Sequence, residues 1–130
     1  MITTMSSIAE LQFESLKEAY PGSAIQALSG GTWLVRVPDI SLPAGWNQPV
    51  TTISFVVPVG YPAARPDCFY ADLALRLASG MMPASSGLQP VPDAGAQQLW
   101  FSWHVGSWNP GRDTLLTYVR VIRDRLNRAQ

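Results

Sequence analysis

Pro58, Pro62 and Pro66 fall within nine residues, PVGYPAARP. No regular element runs through such a stretch, because each proline fixes φ and removes a backbone donor. The chain before it must close by residue 57, and the chain after it must start afresh. Immediately upstream lies VTTISFVV (50–57), rich in β-branched residues and the clearest strand signal in the sequence. Before that, TWLVRV alternates about Trp33, Val35 and Val37, and SAIQAL is a short extended run. Gly30-Gly31 between the two marks a hairpin turn. The stretch 38–49, PDISLPAGWNQP, carries three prolines and a glycine and reads as a loop. Beyond the prolines, DCFYADLAL (67–75) is a candidate fourth strand. Residues 81–98 are rich in Gly, Pro, Ala and Ser without a period, and read as a long irregular loop.

Helices flank this block. Ser7 with Glu10 has the pattern of a capping box. Ile8, Leu11, Leu16, Ala19 and Tyr20 then form a broad apolar face, with Glu10, Glu14, Lys17 and Glu18 mostly off it, until Pro21-Gly22 ends the helix. At the other end, Asp113 or Thr114 caps a helix whose stripe is Leu115, Tyr118, Val119, Ile122 and Leu126. Arg120, Arg123, Arg125 and Arg128 fall around its margins and outer face, where cations oppose the negative end of the helix dipole. The expected fold is α+β and a single domain over 1–130: an N-terminal helix on one face of a four-stranded antiparallel meander, an irregular segment, and a C-terminal helix.

Composition narrows the function. With 47% apolar and 14% charged residues, the chain is globular rather than disordered. Formal net charge is zero, so no global field favours nucleic acid or a membrane surface. The first residues, MITTMSSIAELQFE, lack a basic n-region and a long apolar run, unlike a signal peptide. One cysteine, Cys68, excludes an intramolecular disulfide and suits a reducing, cytoplasmic setting. Cysteine and histidine show no metal-ligand spacing along the sequence, and neither a metal nor a cofactor is expected.

The order of elements resembles the ubiquitin-conjugating enzyme fold. FVVPVGYPAARPDCFY (Phe55–Tyr70) is similar to that family's strand, tyrosine-proline turn, second proline and next strand. WNPGRDTLLTYVRVIRDRL (Trp108–Leu126) is similar to its Trp-x-Pro and the helix that follows. Together with LWFSWHVGSWNPG, the likeness points to the prokaryotic E2 (ubiquitin-conjugating-like) proteins and covers about residues 5–126. The resemblance implies a protein that accepts the C-terminal acyl group of a ubiquitin-like protein from an activating enzyme and transfers it. It implies those two partners and a docking face on the first helix at Glu10, Glu14, Lys17 and Glu18.

The acyl acceptor is the open point. The histidine-proline-asparagine of the larger family is missing, and no cysteine lies just upstream of Trp108. In QLWFSWHVGSWNPG (98–111) stand three of the five tryptophans and the one histidine. If this stretch is extended, Trp100, Ser102 and His104 share one face, and Leu99, Phe101, Trp103 and Val105 the other. Ser102 is then a candidate nucleophile with His104 as its base, forming an oxyester. Asp113 or Asp93 would orient the histidine, and Asn109 would hold the oxyanion. Cys68, a packing position in the larger family, is the alternative nucleophile. The alternative function is a catalytically inactive module that only docks an activating enzyme or ubiquitin-like protein. Without the resemblance, the residues describe a small α+β domain of unspecified partner.

Overall fold

The computed structural model describes residues 4–92 and 95–130, with side chains from residue 8 onward. Helix α1 (Thr4–Ala19) leads into β1 (Ala24–Ala27), β2 (Trp33–Ser41) and β3 (Val50–Val57). After the prolines come β4 (Phe69–Ala71), β5 (Ser86–Pro90), β6 (Gln97–Phe101) and helix α2 (Leu115–Leu126). The strands form one antiparallel sheet in the order β1-β2-β3-β4-β6-β5. Among the described residues no helix is long and apolar enough to cross a membrane.

The expected α+β class holds, but the sheet has six strands rather than four. Residues 81–98 contain β5, which pairs with β6 from Ser86↔Phe101 to Pro90↔Gln97. Its burial follows no alternation. An edge strand held by backbone pairing needs no hydrophobic period, so the sequence pattern carries no trace of it. The fourth strand is only three residues long, and the rest of DCFYADLAL leaves the sheet. Strand β2 runs on through Pro38 and Asp39 into the stretch expected to be loop. A register shift between Val37 and Ile40 lets the proline sit where the ladder is interrupted, with Asp39 at φ +59°.

Both helices pack on one face of the sheet. Ala9, Phe13 and Leu16 from α1 join Leu115, Tyr118, Val119 and Ile122 from α2 over Val35, Val37, Ile53, Phe55, Phe69, Leu99 and Phe101. The buried stripe of α1 is thus 9-13-16. Leu11, placed on the apolar face by the sequence pattern, lies off that stripe and is 73% exposed. Ser7 lies inside the helix, which begins by Thr4, so the expected cap is displaced. Pro21 and Gly22, the latter at φ +93°, form the turn that follows the helix, with Ser23 N–H donating to Tyr20 O. For α2 the cap is Thr114: its hydroxyl accepts from Thr117 N–H while the Thr117 hydroxyl accepts from Thr114 N–H.

The tyrosine-proline turn plugs the space between α1 and the segment leading to α2. Tyr61 is buried, and its hydroxyl donates to Gln12 Oε1, which also accepts from Leu115 N–H. The Trp108 indole donates to Pro62 O at 2.8 Å, with its ring 6.0 Å from that of Tyr61. Trp46 similarly pins the loop after β2 by donating to Leu126 O.

Arg125 departs from expectation most. It is 1% exposed, on the inward stripe of α2 rather than at its margin. Its guanidinium donates to Ala84 O, Arg128 O and Gln130 O at 2.8–2.9 Å. It also lies 5.1 Å from the Phe101 ring centroid and 5.4 Å from that of Trp103. A buried cation is tolerable when its donors are satisfied, and three carbonyls plus two π faces do that here. Replacing it with methionine keeps the length but strands those carbonyls. Arg125→Met is expected to lose about 3 kcal/mol of stability, and Arg125→Lys less, as read from urea midpoints. A midpoint unchanged in Arg125→Met would show that the guanidinium is not holding these groups.

Candidate functional site

The central pairing of the site is β4 with β6: Phe69↔Phe101, Tyr70↔Trp100 and Ala71↔Leu99. Phe69 and Phe101 stack on the inner face with centroids 4.6 Å apart. The expected alternation in LWFSWHV holds through Phe101, where β6 ends, with Leu99 and Phe101 buried and Trp100 half-buried; beyond the strand Ser102 and Trp103 are both half-buried, His104 is exposed and Val105 is buried. Where the two strands leave the sheet, Asp67 and Cys68 precede β4 and Ser102–His104 follow β6.

Cys68 is half-buried and fixed through its backbone. Its N–H donates to Trp103 O at 2.9 Å, and its carbonyl accepts from the Tyr118 hydroxyl at 2.7 Å. Its φ is +62°, in the left-handed region that costs a non-glycine residue about 1 kcal/mol. This twist turns the chain out of the β4 ladder and aims the side chain beside Asp67 and His104. One donor atom from each of Asp67, Cys68 and His104 lies within 4.8 Å of the others. His104 Nδ1 and Asp67 Oδ1 are 2.5 Å apart across 37 residues of sequence.

The electrostatics follow from this arrangement. Burial pushes the Cys68 thiol above its ordinary range; a backbone hydrogen bond from Trp103 pulls it down, while the Asp67 charge and hydrogen bond push it up. The thiol therefore holds its proton at neutrality and needs a base to become a nucleophile. A carboxylate only accepts, so His104 Nδ1–H is the donor in the contact with Asp67. The two polar side chains are about as exposed as each other, 64% for His104 and 60% for Asp67, so both are open to solvent.

The other sequence-derived candidates are distributed as follows. Ser102 N–H donates to Ser85 O, and among the described residues its hydroxyl has no hydrogen-bond partner. Asp113 accepts from Asn109 N–H at 2.7 Å, and Asn109 Oδ1 accepts from Gly111 N–H at 2.9 Å. These two close the turn before α2 and neither bonds to His104. Asp93 lies outside the described residues. Glu10, Glu14, Lys17 and Glu18 are all exposed on α1. Asp67 was the residue sequence reasoning missed. It stands far from His104 in the chain, and only the β4–β6 pairing brings them together.

The strained backbone makes a test of the site's geometry. Glycine accepts a positive φ that alanine resists, so Cys68→Gly is expected to be more stable than Cys68→Ala by about 1 kcal/mol in urea unfolding. Equal midpoints, or the reverse order, would mean that the left-handed turn at residue 68 is absent.

Comparison with known proteins gives one family. No curated protein and no solved structure matches the chain. The model of "Prokaryotic E2 family E" matches residues 20–129, from the end of α1 through α2, and so takes in both the β4–β6 pairing and the Asp67–Cys68–His104 cluster. On that match the chain belongs to prokaryotic E2 family E.

Proposed function

We propose that this protein is an acyl carrier of a ubiquitin-like conjugation pathway, with Cys68 as the acceptor. In this reading it takes the C-terminal acyl group of a ubiquitin-like protein from an activating enzyme and passes it on. The observation that carries it is the convergence of a thiol, an imidazole and a carboxylate on a rigid strand exit. Family membership supports the pathway, and the cluster supports the residue.

The chemistry is exchange of one thioester for another. The Cys68 sulfur attacks the carbonyl carbon of the acyl group held on the activating enzyme's thiol. A sulfur–acyl bond forms at Cys68, the enzyme's sulfur–acyl bond breaks, and the departing thiolate takes up a proton. His104 receives the proton that Cys68 gives up, and Asp67 holds the imidazole and offsets the charge it gains. Ser102 was the acceptor favoured by sequence spacing. It would require the same imidazole, and the Cys68 sulfur is the nucleophilic atom that lies within 4.8 Å of an imidazole nitrogen.

Incubation with the cognate activating enzyme, ATP and the ubiquitin-like protein tests this. The expected product is a thiol-labile adduct, lost in Cys68→Gly and retained in Ser102→Ala. A thiol-resistant, base-labile adduct lost in Ser102→Ala would move the acceptor to the serine. No adduct, with an activating enzyme that charges itself, would leave a docking module without chemistry.

The exposed acidic residues of α1 supply the docking surface in this proposal. They flank Leu11, and Glu10, Leu11, Phe13, Glu14 and Ile25 line a shallow depression there. An apolar centre ringed by carboxylates suits a basic surface on the activating enzyme. Replacing Glu10, Glu14 and Glu18 together by arginine is expected to slow association at low salt, with the difference shrinking as salt is added. An association rate unaffected by the reversal would put the docking face elsewhere.

A further inference from the structure

We propose that Asp67, Cys68 and His104 form a three-donor site for a thiophilic divalent cation of the zinc class. The donor set is a thiol, an imidazole and a carboxylate, with one atom from each within 4.8 Å of the others. In a tetrahedral zinc site, with bonds of roughly 2.0–2.3 Å, neighbouring donors stand about 3.5 Å apart. Closing the cluster on an ion takes side-chain movements of about 1 Å on that geometry. The backbone at Cys68 is held by Trp103 and Tyr118, so the scaffold is fixed. The Asp67 and His104 side chains are mostly exposed; their hydrogen bond to each other gives way as the ion enters between Oδ1 and Nδ1, the imidazole proton moving to Nε2 by way of solvent. Mixed sulfur, nitrogen and oxygen donors favour zinc over magnesium or calcium, which take oxygen ligands.

Binding exchanges one cation for another. The thiol gives its proton to solvent, the thiolate binds the metal, and the dication takes the proton's place beside the Asp67 carboxylate. Three protein donors leave the fourth position open to water. The sulfur is then coordinated and no longer available as a nucleophile. The consequence for activity, reversible blocking of acyl acceptance, rests on the reading of Cys68 as the acceptor; the metal site itself does not.

Cobalt(II) is the probe, because its thiolate complexes absorb by charge transfer in the near ultraviolet and zinc displaces it. The free protein, without activating enzyme, is expected to take up one cobalt ion with that band and to lose it on adding zinc. Cys68→Ser should abolish the band, and His104→Ala and Asp67→Asn should each weaken uptake by at least about tenfold. Both of the latter replace exposed side chains, and unchanged far-ultraviolet circular dichroism checks their folding. Absence of the band in the wild-type protein overturns the proposal. So does cobalt uptake in His104→Ala and Asp67→Asn equal to wild type, which would describe a lone thiol. In the charging reaction, zinc should suppress the Cys68 adduct and a chelator should restore it. An adduct on Cys68 without cobalt uptake defeats the metal site alone. Cobalt uptake with the adduct on Ser102 defeats the acceptor reading alone.

Discussion

Arg125 is the point at which the elements of this fold are tied together. Its guanidinium reaches the carbonyl of Ala84 just before β5, those of Arg128 and Gln130 after α2, and the ring faces of Phe101 and Trp103 at the end of β6. Among the described residues no Asp or Glu side chain pairs with it. Burial, and then the nearby Arg128 charge, hold its pKa below the usual arginine value. A guanidinium nonetheless stays protonated in proteins, and here its charge is met by main-chain oxygens and aromatic faces. That requirement fixes where Trp103 sits, with Arg128 covering the ring as well at 5.2 Å. Trp103 in turn fixes Cys68 through its backbone. A chain of contacts thus runs from the helix interior to the one thiol in the protein.

The cluster divides its work between a stiff backbone and exposed side chains. Cys68 keeps a positive φ because two hydrogen bonds and the Phe69–Phe101 stack beside it over-determine its position. Asp67 and His104 are exposed, held by each other and by the contact of Asp67 with the thiol. In the proposed role, a fixed thiol with accessible acid–base partners suits a reaction whose other half arrives on a second protein. The same combination is what the proposed zinc-class site draws on. Both proposals rest on the placement of a carboxylate and an imidazole beside a thiol that would otherwise be an ordinary packing residue.

Much of the scaffold was legible in the sequence, for identifiable reasons. Strand β3 coincides with VTTISFVV because β-branched residues buried on an inner face leave a strong period. The stripe of α2 and the stop at Pro21-Gly22 are similarly local. Strand β5 was not legible, since an exposed edge strand owes its existence to a partner and not to its own pattern. Arg125 was misplaced because charge argues for the surface, and only the tertiary structure supplies the carbonyls that reverse that preference. In the site, the alternation through Phe101 could be read, but the approach of Asp67 and Cys68 could not. It depends on β4 pairing with β6 across a long intervening segment, a non-local fact with no local signature.

If the strand exits of β4 and β6 form one chemical unit, the histidine must matter to the thiol. The decisive quantity is the single-turnover rate at which acyl group passes from a charged activating enzyme to this protein, compared between wild type and His104→Ala. His104 is exposed and outside the core, so the change leaves the fold intact. A general base of this kind is worth at least about a hundredfold, and a fall of that order is predicted, with Cys68 still the acceptor. A rate the same in both proteins would contradict the account, since the thiol would then react without the neighbour that the fold brings to it.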